Sequence, residues 1–65
     1  MDAETALADL RAARVRLFEA CQRRDALMGR RPIPLDRVSM LNEEIAALRD
    51  AVQVAREAAQ TALEQ

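Results

Sequence analysis

The sequence contains no His, Trp or Tyr, one Cys, one Gly, two Pro and a single aromatic residue, Phe18. Each scarcity removes a class of protein. Without His and with Cys21 alone, one chain cannot assemble a usual zinc site or an internal disulfide. A Ser/His/Asp or Cys/His catalytic device lacks its base. One glycine cannot build a phosphate-cradling P-loop or a dinucleotide fingerprint, which need several where backbone approaches phosphate. A β-sandwich or small barrel needs β-branched and aromatic residues and frequent turns, and this chain has few of either. No apolar run approaches the ~20 residues of a membrane span. The acidic start, MDAETALADL, does not read as a signal peptide. The expectation is a cytoplasmic protein with no membrane partner. Carboxylates are plentiful, but two helices leave almost no closed, dry pocket in which to raise a carboxylate pKa. The chain is therefore read as not an enzyme, with no catalytic residue, no metal and no cofactor.

What is present is helix former. The 65 residues are 51% hydrophobic and rich in Ala, Leu, Arg and Glu. The net charge of −1 is too small, and the apolar content too high, for disorder. The one helix-breaking cluster is Gly29-Arg30-Arg31-Pro32-Ile33-Pro34. Gly29 suits the left-handed position past a helix end, and neither proline can sit inside a continuing helix. The spacing predicts a helix over residues 3–28, a loop over 29–34 and a helix over 35–63. Asp2 is the expected N-cap of the first helix. Pro34 and Asp36 belong to the start of the second. Equal lengths around one short loop make an antiparallel hairpin. The fold class is thus all-α, one coiled-coil-like helical hairpin spanning residues 1–65.

The second helix carries the clearest pattern. Val38, Leu41, Ile45, Leu48, Val52, Ala55, Ala59 and Ala62 alternate in steps of three and four. That is a heptad seam, with β-branched residues in one series and Leu in the other at its start. In the first helix Ala3, Leu7, Leu10, Leu17, Cys21 and Met28 are placed on one face, with Phe18 beside it. Arg14 and Arg24 fill the two missing seam positions. Two readings are open for Arg14. Its long side chain snorkels from the seam edge, or it meets a partner's carboxylate and sets register. Cys21 is read as a small hydrophobe, not a reactive thiol.

A second stripe, Met40, Ala47, Ala51, Val54 and Ala58, lies roughly 60–140° around the second helix at about 100° per residue. One neighbouring helix covers one strip, so this stripe needs a further partner. Chain length points the same way. Ordering each residue costs about 1–2 kcal/mol of backbone entropy. Chains this small need a disulfide, a metal or association, and only the last remains. The expected protein interface is Met40, Leu41, Ile45, Ala47 and Leu48, continuing through Ala51, Val52, Val54, Ala55 and Ala58. The expected partner is a second copy, a helical protein, or both, completing a four-helix bundle by dimerisation or by docking. The function this implies is a small chaperone, adaptor or inhibitor that covers a helical partner.

Charge offers an alternative. Residues 1–31 hold seven Arg and five acids, residues 32–65 three Arg and six acids, so the halves are +2 and −3. Arg23, Arg24, Arg30, Arg31 and Arg37 gather at the loop end, where they either complement the helix dipole or contact an anionic ligand. Every basic residue is Arg, so such contacts can be planar and bidentate. A nucleic-acid-binding dimer is the second reading, although no aromatic or Asn/Gln-rich reading surface accompanies the arginines. A structural subunit of a phage or secretion assembly is the third.

The sequence resembles the small helical-hairpin co-chaperones of type III secretion (YscE/PscE-like). The likeness lies in length, in Arg24-Asp25-Ala26-Leu27 running into Gly29, and in Leu41, Ala46-Ala47-Leu48 and Ala51-Val52 on the second helix. It covers about half the chain. It implies a bacterial protein whose partner buries the apolar side of the hairpin, keeping a needle subunit unpolymerised. The first half is also similar to phage head–tail joining proteins of the lambda W type, through Leu10-Arg11-Ala12-Ala13-Arg14 and Gly29-Arg30-Arg31. That fold implies a β-hairpin between its helices, and residues 29–37 are too short to supply one. The architecture is like that of Rop, an RNA-binding helical-hairpin dimer.

Overall fold

The computed structural model describes residues 2–65. Two helices, α1 (Ala3–Met28) and α2 (Leu35–Glu64), fold back on each other as a hairpin. They contain 26 and 30 residues, with no strand among the described residues. The Cα trace measures 52 × 14 × 11 Å, a rod one helix pair wide. No helix is long and apolar enough to cross a membrane.

The helix ends follow from local chemistry. Asp2 has extended backbone and its Oδ1 accepts the Thr5 N–H at 2.7 Å, satisfying one of the first-turn donors. That hydrogen bond holds the Asp2 carboxyl below its ordinary pKa. The unfolded chain therefore takes up its proton at higher pH than the folded one. The cap's contribution is present above the ordinary carboxylate value and is lost as pH falls through the lowered one. Protection of the Thr5 amide, its exchange taken relative to the unstructured rate at the same pH, is expected to fall on acidification through that range. In Asp2→Asn, which caps equally well without titrating, this pH dependence should vanish. An unchanged acid profile in Asp2→Asn would show that another group controls the first turn.

The end of α1 departs from expectation. Gly29 is right-handed (φ −80°, ψ −8°), not left-handed, and a Cβ there would sit 3.6 Å from the Ala26 carbonyl oxygen, ordinary contact. The last carbonyls are satisfied by other means. The Arg30 N–H donates to the Leu27 oxygen at 3.1 Å, and Arg31 Nη1 donates to the Met28 and Arg30 oxygens at 3.3 and 3.1 Å. The prolines then enforce the break. Pro34 stands at the N-cap position of α2 with no side-chain cap. Asp36 lies in the first turn, where a negative charge suits the helix dipole.

The α2 seam packs against α1 along its length. Val38, Ile45, Val52 and Ala59 are buried, and Leu41, Leu48, Ala55 and Ala62 are half-buried. The α1 side corrects the sequence reading by one residue. The buried α1 residues are Ala6, Leu10, Ala13 and Ala20, with Leu27 half-buried. Leu7 and Cys21 flank this line half-buried, while Met28 is 46% exposed and Arg14 is exposed. Arg14 is thus not a buried seam residue; it lies on the same flank as Leu7 and Cys21 with its side chain exposed. Arg24 does keep its seam-edge place, half-buried. Alanines on α1 meet the branched residues of α2, which lets the two helices approach closely. Four of the eight buried residues are alanine, and Ile45 is the one large side chain that is fully buried.

Candidate interaction face

With α1 in place, α2 still shows apolar surface. Met40 is 70% and Val54 66% exposed, and Ala47 and Ala51 are exposed between them. These residues, with Ala58, stand one position before the seam residues Leu41, Leu48, Val52, Ala55 and Ala59, so they form a shoulder along one side of the hairpin. Grooves between the helices open on this side. Near the loop, Met40 and Leu41 line a groove with Ala26 and Leu27, rimmed by Arg23, Arg37 and Glu44. Near the chain ends, Val54, Ala55 and Ala58 line another with Ala6 and Asp9.

The expected interface therefore divides. Ile45, 2% exposed, and Val52 are consumed inside the hairpin and present no surface. Leu41, Leu48, Ala55 and Ala58 are half-buried, and Met40, Ala47, Ala51 and Val54 are free. Burying one side of a half-exposed Leu while the other meets solvent leaves apolar area that a partner would remove at about 25 cal/mol per Å².

The ridge of α2 that faces away from α1, next to the shoulder, is different. Asp36, Glu43, Asp50, Glu57 and Glu64 recur every seven residues and are all exposed. A line of like charge is best solvated, so this ridge faces water. Sequence reasoning missed this ridge, although its seven-residue spacing is visible in the sequence. It also missed the Ala6–Ala13–Ala20–Leu27 series, which has the same spacing.

The loop-end arginines are largely engaged by their own chain. Arg23 Nη2 pairs with Glu44 Oε1 at 3.3 Å, tying α1 to α2, and Arg24 with Asp25 at 3.4 Å. Arg31 is turned onto the Met28 and Arg30 carbonyls, the first of them the last of α1. Arg30 and Arg37 are exposed, and Arg37 lines the loop-end groove. The five are not gathered into one anion cradle.

Fold and face together define a class: a two-helix hairpin with an apolar shoulder on α2 left bare and with Val15, Phe18 and Leu35 exposed elsewhere. Comparison with family models, with curated proteins and with solved structures gives no match.

Proposed function

We propose that this chain is a non-enzymatic protein–protein interaction module, a small cytoplasmic chaperone, adaptor or inhibitor that acts by covering helical surface with the α2 shoulder. The observation that carries this reading is the exposure of Met40 and Val54 in line with half-exposed seam leucines. A 65-residue hairpin whose core is half alanine has little stability of its own. Covering the shoulder supplies what the core lacks. The co-chaperone resemblance fits the same reading, with a needle-type helical subunit as the partner covered. Nucleic-acid binding draws less support, since three of the five loop-end arginines are held within the chain.

The test is light scattering on the purified chain across a hundredfold dilution, with thermal melting followed by helicity. Stability that rises with concentration is the expected result, because association stabilises by mass action. A poorly folded monomer would also support the module, with a different protein as its partner. A monomer that melts cooperatively and stably at sub-micromolar concentration would overturn the reading.

A further inference from the structure

We infer that the shoulder is covered by a second copy of this chain, packed antiparallel about a two-fold axis that passes between Ala47 and Ala51 of α2 and between Arg16 and Glu19 of α1. This rests on the interaction-module reading and names its partner.

Area sets the scale. A compact chain of 7.3 kDa exposes about 4200 Å², whereas this one exposes 4961 Å². The difference, about 800 Å², comes from the 52 × 14 × 11 Å rod shape and is comparable to one partner's share of a standard-sized interface.

Register sets the axis. The shoulder of α2 repeats in steps of three and four: Arg37, Met40, Glu44, Ala47, Ala51, Val54, then Ala58 and Thr61. Such a line can pair antiparallel with itself. With the axis between Ala47 and Ala51, these two alanines oppose each other across the copies, and Met40 opposes Ala58, large against small. Glu44 falls opposite Val54, but its carboxylate is drawn to Arg23 of its own chain.

The Arg23–Glu44 bridge also fixes how α1 lies beside α2. It places residues 16–19 of α1 alongside residues 47–51 of α2. The same axis therefore passes between Arg16 and Glu19, both exposed. Arg16 of each copy then faces Glu19 of the other, giving two symmetric opposite-charge contacts. Arg23 comes within a turn of the other copy's Asp9.

Neighbouring registers are worse. Sliding one hairpin by a heptad in one direction sets Asp9 against the other copy's Glu19, twice. Sliding it the other way sets Glu19 against the other copy's Arg23, as favourable in charge, but it sets Arg37 against Val54 and leaves Ala58 uncovered. Charge excludes one neighbour and apolar overlap the other, which leaves this alignment, with the two loops at opposite ends of a four-helix bundle. The acidic ridge of α2 stays outside it.

The experiment is charge reversal at the axis, read by sedimentation equilibrium and by native mass spectrometry of mixed chains. Arg16→Glu alone and Glu19→Arg alone each turn two attractions into two repulsions. Each is expected to weaken self-association about tenfold at low salt. Mixing the two variants restores association as a heterodimer, because both cross-copy contacts are again of opposite charge. The double variant, Arg16→Glu with Glu19→Arg, restores the homodimer. These differences fade near 1 M salt, where the screening length is ~3 Å. Single variants that associate as tightly as the parent, or a mixture no tighter than its components, would overturn the axis while leaving the interaction module standing. A poorly folded monomeric parent would overturn the second copy alone, and a stable monomeric parent would overturn both.

Discussion

Ile45→Asp is expected to abolish the helical signal of the isolated chain at 25 °C. Ile45 is the one large side chain fully enclosed between α1 and α2, at 2% exposure. Removing it forfeits about 1.5–3 kcal/mol of burial. The carboxylate that replaces it has no partner there, and burying it costs several kcal/mol more unless it takes up a proton. A single core in a chain of 65 residues supplies no more than about 3–5 kcal/mol. One substitution thus consumes most of it. Circular dichroism with urea titration measures the loss. Glu57→Ala, on the exposed acidic ridge, is the matched control and should stay within about 0.5 kcal/mol. Retained helicity and an unshifted midpoint in Ile45→Asp would show that the α2 seam is not the hairpin's core.

The second large effect distinguishes two adjacent residues. Ala20 is fully buried, at 0% exposure, while Cys21 beside it is half-buried at the flank of the seam. Ala20→Leu forces three extra carbons between closely approaching helices, and overpacking of this kind costs about 1–3 kcal/mol or more. Cys21→Leu adds similar volume where solvent is reached, so it should cost less than about 1 kcal/mol. The difference in melting midpoint between the two variants is the measurement. Equal midpoints, or a larger loss in Cys21→Leu, would return the seam to the line through Leu7, Arg14, Cys21 and Met28.

That contrast marks where the sequence stops being informative about α1. The positions Ala3, Leu10, Leu17 and Arg24 belong to the seam in either alignment. The companion series is ambiguous, because an alanine-rich helix offers apolar residues on both sides of that line. The series through residues 7, 14, 21 and 28 has the larger side chains. The structure uses Ala6, Ala13, Ala20 and Leu27. Size favoured the wrong line because burial here rewards close approach. α2 supplies the bulk in Val38, Ile45 and Val52, and α1 supplies the space. Choosing the alanine line also leaves Arg14 in water, where its charge is solvated.

The candidate face was legible to the same degree. The stripe from Met40 to Ala58 stands out by periodicity because α2 has more apolar circumference than one neighbour can cover. Ile45 and Val52 were grouped with it because periodicity does not say which of two adjacent strips the chain's own partner helix takes. The loop-end arginines read as one cluster in sequence. In space their partners divide them, since Glu44 of α2, Asp25 and the last carbonyl of α1 each take one.

By itself the sequence determined that this chain is two helices and where they part. Helix propensity, the Asp2 cap and the paired prolines act within a few residues, and local causes need no tertiary information. It also picked out the α2 seam, eight apolar positions in steps of three and four without a miss. Only the tertiary structure decided which side of α1 meets that seam, that Gly29 stays right-handed, and which strip of α2 remains bare. Each of these depends on how near one helix can come to the other. That distance is set jointly by side chains far apart in sequence, alanine on one helix and branched residues on the other.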